Sequence, residues 1–181
     1  MSESPGTAGT LVIGIGNDFR GDDAAGLVAA RALGSRSLSG CTSFEVCESN
    51  GSAFSLMELW RGRDRVVAID AIDVRSRPVG DILILDGLQG PLPEDAFVLS
   101  THAFGLKEAI DLSSVLLGLP KELIIVGIVG KKFAMGDPLS AELAHVVQRM
   151  VSEWPRCLDA YVPAMNHVQG TKSLKENGNH A

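Results

Sequence analysis

Aromatic residues are scarce in this chain: six Phe, two Trp and one Tyr in 181 residues, or 5%. Cysteine is scarcer. Cys41, Cys47 and Cys157 are odd in number and lack metal-type spacing, which argues against a disulfide framework or a Cys-based zinc site and leaves reduced, structural thiols as the expectation. No apolar run is long enough to span a bilayer, and the opening MSESPGTAGT has no basic-then-apolar signal pattern. A cytoplasmic protein without membrane insertion is expected. Positive charge is in the minority, with 16 Lys and Arg against 22 Asp and Glu and a net charge of −6. The basic residues are scattered, which argues against nucleic acid as a partner. Three catalytic signatures are also missing. There is no G-x-S-x-G nucleophile elbow, no H-E-x-x-H zinc helix and no Gly-Lys-Ser/Thr phosphate loop.

What is present is 45% hydrophobic residues in a length that supports one domain with a full core. Residues 1–9 are expected to be a disordered N-terminus, 10–165 a single domain and 166–181 a flexible tail. Residues 11–15 read as a buried strand. A helix over 23–33 follows, with Gly34 as its stop. Arg31 is its only charge after Asp23, so burial over much of its circumference is expected. A second strand reads over 43–48, a short helix over 53–60 and a third strand over 65–69, which delivers Asp70. The next connection contains Pro78 and is too short for the crossover that parallel neighbours need. The fourth strand, 81–85, is therefore expected antiparallel to the third, at a sheet edge. A Pro/Gly-rich loop over 87–99 leads to Ser100-Thr101-His102, then a helix over 106–117 and a fifth strand over 122–126. A long helix from about Ser140 is ended or kinked by Pro155. These elements predict an α/β fold: a three-layer α/β/α sandwich around a twisted, mostly parallel five-stranded sheet with one antiparallel strand.

Three side chains fall at strand ends or in adjoining loops: Asp23, Asp70 and His102. Asp22 and Asp23 open the first helix, where one of the two is expected to cap it. Capping needs only one carboxylate, and the other is left for a different task. The glycines at 14, 16 and 21 resemble a phosphate-binding loop, but Phe19 stands where G-x-G-x-x-G requires glycine, and two acids at a helix start repel phosphate. A cation or polar site fits better. Two carboxylates and an imidazole suit a divalent transition metal with coordination positions left open. Taken singly, each of the three has a plainer explanation, as a cap, a strand-end acid or a surface histidine. His145, Trp60 and Phe54 read as packing residues on their helices.

Gly14-Ile15-Gly16-Asn17 with Gly21-Asp22-Asp23, then Ile69-Asp70-Ala71, then Ser100-Thr101-His102 with Gly105-Leu106, resemble the hydrogenase maturation endopeptidases in order and spacing. The resemblance implies an endopeptidase that removes a C-terminal extension from the large-subunit precursor of a [NiFe] hydrogenase once nickel is inserted. It implies that Asp23, Asp70 and His102 are the metal-contacting and catalytic residues. The nickel is implied to be carried by the substrate, so that the resting enzyme need not hold metal. Gly51 and Ser52 fall near the family's glycine-rich turn after strand two. Two other functions remain open on the residues: a nucleotide-binding Rossmann-like module, and a non-catalytic chaperone for the same precursor.

Overall fold

The computed structural model describes residues 9–35, 44–89 and 101–154, with the backbone alone for 101–104 and for a short strand at 172–173. Residues 1–8 of the expected disordered N-terminus, the 87–99 loop from residue 90 onward, Cys41, Cys157 and Pro155 lie outside these residues. So does the 166–181 tail apart from 172–173.

The elements in chain order are β1 (Thr10–Ile15), a 3₁₀ turn (Gly21–Ala24), α1 (Ala25–Gly34), β2 (Phe44–Ser49), α2 (Ala53–Trp60), β3 (Arg65–Ile72) and β4 (Ile82–Asp86). After these come α3 (Thr101–Leu116), β5 (Glu122–Val129), α4 (Ala141–Ser152) and β6 (Lys172–Ser173). The sheet order is β2-β1-β3-β5-β4-β6. β2, β1, β3 and β5 run parallel, and β4 runs antiparallel to β5. The α/β expectation with one reversed strand holds, with two corrections. β4 pairs with β5 and not with β3, because β5 returns through α3 to lie between them. A sixth strand also exists, since Lys172 and Ser173 of the expected tail pair with the outer edge of β4. Two residues there cover backbone groups that an open edge would leave unpaired.

Strand periodicity divides the core in two. Val12, Val67, Ile69, Ala71, Ile124, Val126 and Ile128 face α1 and α4. Leu11, Ile13, Ile15, Val66, Ala68, Leu123 and Ile125 face α2 and α3. α4 meets its side of the core with Leu143, Val147, Met150 and Val151, a helical i, i+4, i+7, i+8 stripe. Its start is set by Ser140, whose side chain accepts the Leu143 N–H. α1 buries six of its ten residues, as its near-absence of charge predicts, and glycine fixes its seat. A Cβ at Gly26 would collide with the carbonyl oxygens of both Ile15 and Ile69. The helix therefore lies directly over the gap between β1 and β3.

Of the three helix side chains read as packing, Trp60 holds and Phe54 and His145 change. Trp60 is buried, and its Nε1–H donates to Ser113 Oγ at 2.9 Å. Phe54 and His145 are exposed, because each lies on the outward stripe of its helix.

Candidate active site

The site follows from the topology. β1 leads through α1 to β2 on one side, and β2 returns through α2 to β3 on the other. The gap between β1 and β3 is thus the strand-switch point, where α/β proteins open a crevice at the carboxyl ends of the strands. The β1–β3 ladder ends at Gly14↔Ile69, so Asp70 is the first β3 residue beyond it. Asp70 lies inside β3 and not at its end, because the longer β5 continues pairing through Ile72↔Val129. It is fully buried, and its Oδ1 accepts the Ala71 N–H at 2.9 Å. By parity with Val66 and Ala68 it belongs to the face covered by α2 and α3. Its partner across the ladder is Gly127, which adds no side chain.

Asp23 arrives from the 3₁₀ turn. That turn packs against β3 and buries Asp22 and Asp23 to 1% exposure each. The main chain of Asp23 closes the preceding loop. Its N–H donates to Arg20 O at 3.2 Å, and its carbonyl accepts the Asn17 N–H at 3.3 Å. The structure therefore brings the segment bearing Asp23 to the strand bearing Asp70. His102 sits in the first turn of α3, and its side chain lies outside the described residues. Expected on a loop, it is helical in its backbone because α3 starts five residues earlier than its apolar period suggests. Gly105, read as preceding the helix, lies inside it. A Cβ there would collide with Gly51 O, so this glycine lets α3 cross the start of α2. That crossing places the N-terminus of α3 at the edge that holds Asp23 and Asp70. Among the described residues no three His, Cys, Asp or Glu side chains form a metal-binding cluster.

Neither acid caps the first helix. α1 has Ala24 at its cap, with no side-chain hydrogen bond. Asp22 instead reaches the loop after β5. Its Oδ2 accepts the N–H groups of Lys131 and Lys132, both at 2.9 Å, and its Oδ1 accepts that of Ser140 at 3.0 Å. Burial pushes the Asp22 carboxyl up, but the Ser140 hydroxyl and these three backbone donors outweigh it and hold the group below the usual carboxylate range. Two backbone bonds run alongside, Asp22 N–H to Lys132 O at 2.6 Å and Gly21 N–H to Asp137 O at 2.9 Å. Gly21 has a left-handed φ of 60°, and a Cβ there would crowd the Lys132 carbonyl. Sequence reasoning left one of the two adjacent acids without a task but could not find its partners, more than a hundred residues away.

Two further polar groups brace the rim. Arg31 forks onto Asp18, with both contacts at 2.7 Å, and onto Glu48 at 2.6 and 3.0 Å. Its guanidinium holds the Asp18 carboxyl below its ordinary range. After β2, Ser49 Oγ accepts the Gly51 N–H at 3.1 Å, and Asn50 Oδ1 accepts the Ser52 N–H at 3.1 Å. Side-chain bonds from Ser49 and Asn50 thus build the turn in which Gly51 takes its left-handed φ of 75°.

The fold and site define a class: an α/β/α sandwich with a mostly parallel sheet and two buried carboxylates at its strand-switch edge. Residues 39–155 match the HycI hydrogenase maturation protease family, and the chain belongs to that family. The matched span includes Asp70 and His102 and leaves out the block from Gly14 to Asp23. Solved structures supply the fold over a longer stretch. The [NiFe] hydrogenase maturation protease HybD from Thermococcus kodakarensis is 26% identical, with 82% of this chain and 98% of that one covered at a TM-score of 0.66. The hydrogenase maturating endopeptidase HybD from E. coli is 19% identical, with 91% and 96% covered at a TM-score of 0.65. The HycI protease from Thermococcus kodakarensis KOD1 is 23% identical, with 86% and 95% covered at 0.61. No sequence match is found among curated proteins. Among the described residues no helix is long and apolar enough to cross a membrane.

Proposed function

We propose that this chain is an endopeptidase that removes the C-terminal extension of a nickel-loaded [NiFe] hydrogenase large-subunit precursor, acting in the cytoplasm. The observation that carries the reading is the burial of Asp23 and Asp70 on adjoining segments of the strand-switch edge, in a chain of the maturation protease family. Two oxygen donors, with the His102 imidazole supplied from the start of α3, suit a divalent first-row ion. In this reading the ion is part of the substrate, and Asp23, Asp70 and His102 recognise it as proof that the precursor is loaded. A nickel ion held there by Asp23, Asp70 and His102 would polarise the scissile carbonyl. Asp23 and Asp70 orient the precursor against it, and one of these carboxylates would accept the proton of the attacking water and pass it to the amine that leaves as the C–N bond breaks.

The test is a mass measurement on purified precursor, nickel-loaded or nickel-free, incubated with this protein. Loss of the extension from the loaded precursor alone is the expected result. Asp23→Ala, Asp70→Ala and His102→Ala should each abolish it, and full cleavage by all three variants would overturn the assignment. A protein that binds the loaded precursor without shortening it would be a chaperone instead.

A further inference from the structure

Phe19 and Met135 are large apolar side chains left 73% and 72% exposed. Isolated exposed hydrophobics are ordinary, but these two are neighbours on joined loops. The Gly136 N–H, one residue from Met135, donates to Phe19 O at 2.7 Å.

Both loops are held from several sides. Asn17 Oδ1 accepts the Phe19 N–H at 2.9 Å, and the same short loop is closed by the main chain of Asp23. Arg31 fixes Asp18, the residue before Phe19, to the end of β2. Asp22 anchors the Met135 loop at both ends, through Lys131 and Lys132 on one side and Ser140 on the other. The chain thus spends many hydrogen bonds on holding two apolar side chains out in water. Such a surface loses little conformational freedom when a partner covers it. It also lies beside the site, since Phe19 precedes Asp23 by four residues in a loop whose ends Asp23 ties together.

We infer that Phe19 and Met135 form a specificity seat that takes an apolar side chain of the precursor segment bearing the scissile bond, a reading that rests on the proposed endopeptidase function. Continuity with the Asp23 edge selects this occupant, because the main chain of Asp23 closes the Phe19 loop, so a segment lying against Asp23 lies beside that loop. The seat contributes ground-state binding and no chemistry, so its loss appears in affinity and KM and leaves kcat in place.

The experiment measures equilibrium binding and cleavage of nickel-loaded precursor by the full chain, its Phe19→Ala and Met135→Ala variants, and Val115→Ala. Val115 is equally apolar and 81% exposed. It lies in the last turn of α3, whose following segment bonds the N-terminal ends of the strands through Glu122 N–H to Asp64 O, so it serves as a control at the opposite edge. Phe19→Ala and Met135→Ala should each weaken binding and raise KM by roughly tenfold, with kcat within about twofold. Val115→Ala should match wild type, and Phe19→Leu should recover part of the loss. Unchanged binding by both alanine variants overturns the seat, as does a change confined to self-association of this chain measured by sedimentation. If the alanine variants bind weakly but wild type never shortens the precursor, the endopeptidase reading fails, and with it the cleavage-site role of the seat, leaving Phe19 and Met135 as a precursor-binding surface only. If wild type does not bind the precursor, both fall.

Discussion

Asp22 and Ser140 lie 118 residues apart, yet the backbone N–H of Ser140 donates to Asp22 Oδ1 at 3.0 Å. With Lys131 and Lys132 on the other oxygen, a single carboxylate joins the turn before α1 to both ends of the loop between β5 and α4.

Removing that carboxylate has a calculable cost. Hydrogen bonds to a charged acceptor contribute about 1.5–3 kcal/mol each, and orphaned donors add to the loss. Asp22→Ala is expected to destabilise the chain by about 3 kcal/mol or more. Asp22→Asn, which keeps one acceptor oxygen, should cost less. The folded carboxyl titrates below its ordinary value of 3.8, so its contribution is complete above that value and lost as pH falls through the folded one. Urea unfolding should therefore show a wild-type advantage over Asp22→Asn that is full at pH ~7 and closes as the pH falls below the ordinary value of 3.8 and through the lower folded one. A gap that stays constant over that range would contradict the role.

Gly26 tests the seating of α1. Alanine at a helical glycine normally gains up to about 1 kcal/mol. Here its methyl group would meet two backbone carbonyls, Ile15 O and Ile69 O, which cannot rotate away. Overpacking of this kind costs about 1–3 kcal/mol or more. Gly26→Ala is therefore expected to lower the thermal midpoint despite its helix propensity, and to displace the turn carrying Asp23, with loss of processing.

The pair of Trp60 and Ser113 is a buried bond between α2 and α3. Ser113→Ala leaves an indole N–H in the core without its acceptor, at a cost of about 1–3 kcal/mol. Trp60→Phe removes the donor. The double variant should then be less destabilised than the sum of the singles, as read by a chemical-denaturation cycle. Strict additivity would mean that the bond contributes nothing.

Arg31 should behave differently, because it and its two partners are nearly half exposed. Such pairs contribute at most about 1 kcal/mol each and are screened by salt. Arg31→Ala should cost about 1 kcal/mol at low ionic strength, with the difference shrinking near ~1 M salt, where the Debye length is about 3 Å. Lysine should not restore it, since an ammonium cannot reproduce the fork onto two carboxylates.

The layers, the parallel sheet and its one reversed strand were legible in the chain because they depend on local signals: apolar runs, helical period and the Pro78 connection too short for a crossover. The bounds of α2 and the start of α4 near Ser140 were legible for the same reason. Asp22 and Asp23 were visible as a pair, and their order after the glycine loop put them where a strand hands over to a helix. Other features depend on who sits next to whom. Whether Gly105 breaks a helix or lets it pass depends on Gly51, and whether β4 joins β3 or β5 depends on where α3 returns the chain. One of the two acids looked like a cap, because capping is the nearest use of a carboxylate in sequence, but Asp22 does not cap α1. Folding offered it three backbone donors from a distant loop instead, and only the assembled sheet could place them within hydrogen-bonding reach.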